Sequence, residues 1–505
     1  MDFLTPVLNG FAVVFEPVNL LFCLIGVVLG MLVGVLPGLG PAASIAVLLP
    51  VTYSIEPTAA IIMLAGIFYG AIYGGTITSV LLRLAGEASS AVTAIDGHAM
   101  AKQGRAGAAL GVAAVASFVG GTVAIVVLTF LAPLVAGVAV NFGPPEYAVL
   151  ALLGILMVAT LGSGSVAKSL VAAGVGLLLA TVGRDPIFGT PRFTFGIDAF
   201  YDGIEFVIIA MGLFGVGEIL YNLDARRNGV EKPPPVGRVY PSRADLARSA
   251  PPIARGSVIG FVLGLLPGGG ATMSSLVSYA VEKRVSRTPE RFGRGAIQGV
   301  AGPETANNAA ATSSFIPLMT LGIPANATMA VMFGALLLQG ITPGPLLVAE
   351  HPDLFWGVVN SMYLGNLLLL LLSLPLIGVF VRIARVRITI LAPLAILITL
   401  VGVYTVRGST FDMLLMAVMG AIGYLMKKTG FEPAPMVLAF ILGGMFETAL
   451  RQSLRIFDGS LGGFLGEPIA ATLLGAIAVL LIAQGAAAFR ARRRKEREPA
   501  APVGS

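Results

Sequence analysis

At 505 residues with 56% hydrophobic and only 11% charged side chains, the chain lacks the polar surface of a water-soluble globule, which carries about 25% charged residues. Its mean hydropathy of +0.91 and room for roughly ten spans of about 20 residues point to a bilayer protein. The formal net charge of +6 sits in loops between apolar runs and at the C-terminus, as cytoplasmic loops require, which argues against nucleic acid as a partner.

Residues 1–16 hold no Lys or Arg and no clear small-residue cleavage site, so no cleavable signal peptide is expected. Apolar runs follow at 20–36, 61–82, 108–135, 147–161, 166–182 and 203–220. The single cysteine, Cys23, lies in the first and rules out an intrachain disulfide. After a polar stretch the runs resume at 258–266, 296–318, 328–338, 355–381, 388–403, 413–425, 436–446 and 470–487. Several are too short, or too interrupted by Gly and Pro, to be simple spans. The polar stretch carries Arg226, Arg227, Lys232, Pro233-Pro234-Pro235, Arg238, Arg243, Arg248 and Arg255. It divides the chain into a membrane unit at 1–222, a cytoplasmic linker at 223–255, a second membrane unit at 256–487 and a basic cytoplasmic tail at 488–505.

The two units resemble each other. In the segments 29–45 and 259–275, Gly30, Gly34, Leu36, Pro37, Gly38, Gly40 and Ser44 match Gly260, Gly264, Leu266, Pro267, Gly268, Gly270 and Ser274. A weaker match sets Thr76, Thr78, Leu82 and Gly86 opposite Thr312, Ser314, Leu318 and Gly322. Corresponding loops differ in charge. Residues 51–60 have no basic residue, whereas 282–294 carry Lys283, Arg284, Arg287, Arg291 and Arg294; residues 83–105 carry Arg83, Lys102 and Arg105, whereas 319–341 carry none. The expectation is an all-α polytopic membrane protein of two inverted-topology repeats with broken or re-entrant helices, its N-terminus outside and its C-terminus in the cytoplasm.

Pro within an apolar run removes a backbone donor, and Gly tolerates unusual geometry, so the Leu-Pro-Gly-x-Gly elements interrupt their helices. A helix start at such a break suits an anion through its free N–H groups and dipole. Two starts brought together by inverted symmetry would hold a polyanion without a buried Arg or Lys. This makes Gly38, Gly40, Ser44, Gly268, Gly270 and Ser274 candidate substrate-binding residues. The G-x-x-x-G series of Gly26, Gly30 and Gly34 is explained by close helix packing.

The most polar intramembrane stretch is Pro303-Glu304-Thr305-Ala306-Asn307-Asn308, followed by Thr312, Ser313 and Ser314. Amides and hydroxyls can donate to a carboxylate, and their oxygens can ligate Na⁺. Asn307, Asn308, Thr312 and Ser314 are therefore added to the substrate wall, with an interhelical hydrogen-bond cluster as the structural alternative. Thr76, Thr78, Glu304, Gly322 and Asn326 are candidates for a coupling cation. His98 and His351 sit in loop-like surroundings without metal-ligand spacing, and neither a Gly-x-Ser-x-Gly elbow nor a Walker A motif occurs, so no metal or other cofactor is expected beyond Na⁺ or H⁺ as coupling ion.

The sequence resembles the TctA family, the large membrane subunit of tripartite tricarboxylate transporters. The likeness runs from about residue 11 to 489. It is carried by Gly34-Val35-Leu36-Pro37-Gly38-Leu39-Gly40-Pro41, Tyr69-Gly70-Ala71-Ile72-Tyr73-Gly74-Gly75, Ala94-Ile95-Asp96-Gly97, Arg192-Phe193-Thr194-Phe195-Gly196, Pro303-Glu304 with Ala306-Asn307-Asn308, and Ile316-Pro317-Leu318-Met319-Thr320-Leu321-Gly322-Ile323-Pro324. The resemblance implies a multi-pass protein of the bacterial inner membrane that is not an enzyme. It implies a small four-span TctB-like subunit, a periplasmic TctC-like substrate-binding protein, and cation-coupled import of small carboxylates, usually with Na⁺. One stretch departs from the family: where Asn, a Pro-Gly pair and another Pro are usual after Leu82, this chain reads Arg83-Leu84-Ala85-Gly86-Glu87-Ala88-Ser89-Ser90. The departure bears on substrate choice or stoichiometry, or else Arg83 merely anchors a helix end. Two other readings stand beside transport: a membrane-embedded enzyme acting on a lipid or lipid-linked group, for which the sequence supplies no nucleophile, base or metal cluster, and a passive channel, which needs no paired breaks.

Overall fold

A computed structural model describes residues 4–36, 40–83, 87–161, 165–225, 236–237, 239–383 and 388–497. The first half comprises α1 (Leu4–Val14), α2 (Pro17–Val35), α3 (Pro41–Leu48), α4 (Pro57–Leu82), α5 (Thr93–Lys102), α6 (Ala106–Ala139), α7 (Pro144–Leu161) and α8 (Val166–Ala180). A short hairpin of β1 (Gly183–Arg184) and β2 (Pro191–Arg192) leads to α9 (Phe206–Ala210), which continues through a π-helical turn into α10 (Gly217–Ala225). The second half comprises α11 (Arg243–Leu265), α12 (Gly270–Val285), α13 (Gln298–Ser313), α14 (Phe315–Leu321), α15 (Ala327–Leu338), α16 (Leu347–Glu350), α17 (Pro352–Ile383), α18 (Ile388–Arg407), α19 (Thr410–Lys428), α20 (Pro433–Ile456) and α21 (Pro468–Arg497). Nine helical stretches among the described residues are long and apolar enough to cross a membrane. The polytopic all-α class expected from composition is therefore the observed one.

Part of the expected linker is helical. α11 begins at Arg243, where Ser242 and Asp245 form a reciprocal capping box, and runs unbroken through Pro251 and Pro252. Asp245 also pairs with Arg105 at 2.8 Å, tying the start of α11 to the start of α6. Residues 226–235 and 238 of that linker, and 498–505 of the tail, lie outside the described residues.

Glycine spacing fixes the core. Gly26, Gly30 and Gly34 of α2 lie so close to the backbone of Met63, Ile67 and Ala71 in α4 that no Cβ fits. Gly256, Gly260 and Gly264 of α11 sit the same way on Gly302, Ala306 and Ala310 of α13. Both pairs are parallel, and removing side chains lets van der Waals contact replace the hydrophobic drive that lipid does not supply. α4 itself runs antiparallel to α13 and α14, since Thr76 meets Glu304 while Phe68 meets the ring of Phe315. α6 of the first half packs on α13, and α17 of the second half packs on α4.

Each half contains a helical hairpin broken at its tip. α2 ends at Val35 and α3 begins at Pro41, with residues 37–39 outside the described ones; α11 and α12 turn at Leu266–Gly269, where Gly268 and Gly270 have φ of +80° and +50°. α3 leads to Thr52, whose carbonyl accepts from Gln339 at the end of α15. α12 leads instead to Lys283 and Arg284, beside the loop that Gln103 meets at the Arg294 carbonyl. The two hairpins thus enter from opposite ends of the molecule. We call these the acidic end, where Asp185, Asp202, Glu205 and Glu447 contact Arg192, Arg407 and Arg451, and the basic end, which carries Lys102, Arg105, Lys283 and Arg284.

Candidate functional site

The centre of the core holds one carboxylate. Glu304 of α13 is wholly buried and accepts from Thr76 Oγ1 of α4 at 2.8 Å, Thr93 Oγ1 of α5 at 2.5 Å and Ser117 Oγ of α6 at 3.4 Å. All three donors come from the first half and the acceptor from the second. Ser117 reaches α13 because Gly120, one turn on, leaves no room for a Cβ against the Thr305 carbonyl. Asn308 Nδ2 donates to Ser117 Oγ at 2.8 Å and to the Glu304 carbonyl at 3.0 Å, and Asn307 Oδ1 accepts from Asn308. The Asn307 Nδ2 is buried and lacks a hydrogen-bond partner among the described residues.

No ion pair reaches Glu304 among the described residues. Burial of a lone carboxylate costs several kcal/mol, and each hydrogen bond to a charged group contributes about 1.5–3 kcal/mol. For the ionised form, hydroxyl donors offset part of that cost without adding a positive charge. Each hydroxyl also keeps lone pairs, so the same oxygens can turn to ligate a small cation that bridges to the carboxylate.

The expected site residues separate into groups. Thr76, Glu304, Asn307 and Asn308 come together at this centre. Thr78 bonds the Gly75 carbonyl, and Ser314 bonds that of Ala311. Thr312 is buried near the end of α13. Gly322 ends α14 in a left-handed conformation, and Asn326 caps α15 by accepting from Met329 N–H at 3.0 Å. Asn326 lies next to Gly270, and Gly268 N–H donates to the Ala325 carbonyl at 2.8 Å, so one hairpin tip and one helix break form a single unit. That amide already has an acceptor and is not a free anion donor.

Ser44 and Ser274 behave alike, each bonding the carbonyl four residues before it, Gly40 and Gly270, at 2.8 Å. Gly40 opens α3 and faces open space; Gly38 lies outside the described residues. The first turns of α3 and α12 therefore repeat one serine bond, and neither serine hydroxyl proton is left unused.

Sequence reasoning missed Thr93, Ser117 and the role of Asp96. Asp96 is fully buried, and its Oδ1 accepts the N–H groups of Gly293, Gly295 and Ala296 at 2.8–2.9 Å while Tyr279 OH donates to Oδ2 at 2.9 Å. It locks α5 to the loop before α13. The quoted motif Ala94-Ile95-Asp96-Gly97 was the available signal. His98, expected in a loop, lies inside α5 with Nδ1 donating to the Val80 carbonyl at 3.0 Å; His351 sits between α16 and α17.

An ionic cluster at the acidic end joins the β1–β2 hairpin, which lies outside the spans, to α20. Arg192 meets Glu447 through two bonds of 2.6 and 3.2 Å, and Arg451 bridges Asp185 at 2.7 Å and Glu447 at 3.0 Å. Backbone N–H groups of Phe188 and Ile187, together with Arg451, hold the Asp185 carboxyl well below the usual carboxylate range.

Comparison with known proteins accords with this architecture. The chain is 48% identical over 498 residues, covering 98% of itself and 99% of the relative, to an Agrobacterium vitis protein described as an uncharacterized 52.8 kDa protein in the TAR-I ttuC' 3' region. It is 47% identical over 234 residues to an uncharacterized protein in the TAR-II ttuC' 3' region of the same organism, covering 46% of this chain and 97% of that one. No solved structure matches. Residues 20–438 match the family described as the tripartite tricarboxylate transporter TctA family, and the chain belongs to that family.

Proposed function

We propose that this chain imports small organic di- or tricarboxylates across a bacterial inner membrane by alternating access, coupled to Na⁺ or H⁺. The observation that carries the reading is Glu304, a buried carboxylate of one half held by hydroxyls of the other without a cationic side chain in reach. A cation taken there would bind both halves at once, so its occupancy would bias their relative position. The opposite entry of the two hairpins supports treating the halves as inverted repeats that exchange conformations. Coupling is required because each negative charge entering an inside-negative cell costs about 2.3 kcal/mol per 100 mV. The basic end faces the cytoplasm in this reading, by the positive-inside rule. Residues around Gly40 and the Leu266–Gly270 tip receive the carboxylate groups from a periplasmic TctC-like binding protein, and a four-span TctB-like subunit completes the complex.

The test is uptake into proteoliposomes that contain the chain, its small subunit and its binding protein. Carboxylate should be concentrated inside under an inward Na⁺ or H⁺ gradient. Equilibration without concentration under either gradient overturns the proposal.

A further inference from the structure

A second polar space lies apart from Glu304, at the basic end. It is a cleft of about 440 Å³ lined by Arg83, Ile95, His98, Lys102 and Gly293, with Ala residues between them. Arg83 and Lys102 are exposed and form no ion pair among the described residues. The His98 ring is fixed through Nδ1 on the Val80 carbonyl, leaving Nε2 as its other polar atom. The Asp96 carboxylate on the same helix is occupied by four donors across the interface.

Backbone geometry singles out Arg83. It ends α4 in the left-handed region, with φ 55° and ψ 23°. Gly30 and Gly34 pack on Ile67 and Ala71 as Gly260 and Gly264 pack on Ala306 and Ala310, which makes Arg83 the counterpart of Gly322, three residues before the Gly86 that the sequence match paired with it. Gly322 ends α14 with φ 70° and ψ 25°. A side chain is disfavoured in that conformation and glycine is not. The first half therefore tolerates backbone strain to keep a guanidinium where the second half has none. A positioned guanidinium takes a carboxylate through two parallel bonds, and a nearby ammonium adds a third donor group.

The cleft also has a place on the path. Ile95, His98, Ala99 and Lys102 line it from α5, the helix whose first residue, Thr93, bonds Glu304. From Thr93 to Lys102 that helix rises about 14 Å toward the basic end. We propose that the cleft is a binding site for the carboxylate groups of a small polycarboxylate on the releasing side, with Arg83 and Lys102 as its charged contacts. This rests on the carboxylate-import reading given above.

Labelling of an introduced cysteine tests it. Cys23 is the chain's only cysteine and is fully buried, so Ile95→Cys, on a half-exposed wall residue, supplies the one reactive thiol. In purified full-length protein, citrate should slow maleimide labelling of I95C several-fold. The same protein with Arg83→Gln and Lys102→Gln should label at a rate that citrate does not change, while its gel-filtration profile stays that of I95C. Lack of protection in I95C overturns the proposal, as does equal protection in the triple variant. Equal protection by inorganic phosphate marks a non-selective anion site and overturns the carboxylate assignment. Labelling is read in detergent without a gradient, so absence of protection and absence of concentrative uptake are separate failures.

Discussion

Where α4 crosses α13 and α14, two contacts at equivalent positions of the halves have opposite chemistry. Toward the basic end, Thr76 meets Glu304, with Asn307 three residues on; toward the acidic end, Phe68 meets Phe315 with ring centroids 6.0 Å apart. Because Gly30 packs on Ile67 as Gly260 packs on Ala306, Phe68 is the counterpart of Asn307, Phe315 that of Thr76 and Ala65 that of Glu304, a register three residues from the sequence match of Thr76 with Thr312. Backbone similarity between the halves therefore does not extend to their chemistry. One crossing can hold a charge because three helices deliver hydroxyls to it, and the other is closed by aromatic packing. The coupling proposed for this chain therefore rests on one of the two crossings.

The largest effect should come from removing the charge itself. Loss of one buried ionic partner costs about 3–5 kcal/mol, so Glu304→Gln should weaken cation activation of uptake on the order of 10²–10³-fold while the protein still reaches the membrane. Uptake with unchanged cation dependence would detach Glu304 from coupling. Conversely, Ala65→Glu places a carboxylate where Phe315 stands in for Thr76. Buried beside that aromatic pair it should destabilise the protein by about 3 kcal/mol or more, seen as reduced yield and a lowered melting temperature. A stable A65E protein would show that donors are not what distinguishes the two crossings.

Smaller effects sharpen the same contrast. Asn308→Ala removes donors to Ser117 and to the Glu304 carbonyl, each bond worth about 1 kcal/mol. It should reduce uptake much more than protein level; unchanged uptake removes Asn308 from the site. Arg83→Gly should raise stability by about 0.5–1 kcal/mol by relieving the left-handed backbone, measured as a higher melting temperature. A lowered one would mean that Arg83 makes contacts the strain argument ignores. At the acidic end, Asp185 has a folded-state pKa below its unfolded value of about 3.9. Its contribution is fully present above that unfolded value and is lost as pH falls toward the folded one. Cleavage of the loop near Phe188 by an acid protease should therefore increase only below about pH 4, and an increase at higher pH would contradict the assignment.

The membrane class was legible because composition alone excludes a soluble surface. The helix breaks were legible because Pro and Gly mark them, and the Gly26-Gly30-Gly34 series was readable as packing, which is its role against α4. Glu304, Asn307 and Asn308 were conspicuous as polar residues in apolar surroundings. Thr93 and Ser117 were not, since a hydroxyl is cheap anywhere in a helix and becomes a ligand only when tertiary packing aims it. The amide of Gly268 misled for the same reason, because its acceptor, Ala325, is remote in sequence. The span of α11 was obscured by its prolines, which the capping box at Ser242 outweighs.

The Asp96 lock also bears on how the protein is made. Its four donors come from Tyr279 and the loop at residues 293–296, which leave the ribosome long after α5 does. Until then the first half carries an uncompensated carboxylate beside the three hydroxyls that await Glu304. Neither half is a finished folding unit, so insertion of the early helices must precede their final burial. A chain cut within residues 226–235 should yield function only when both pieces are synthesised together.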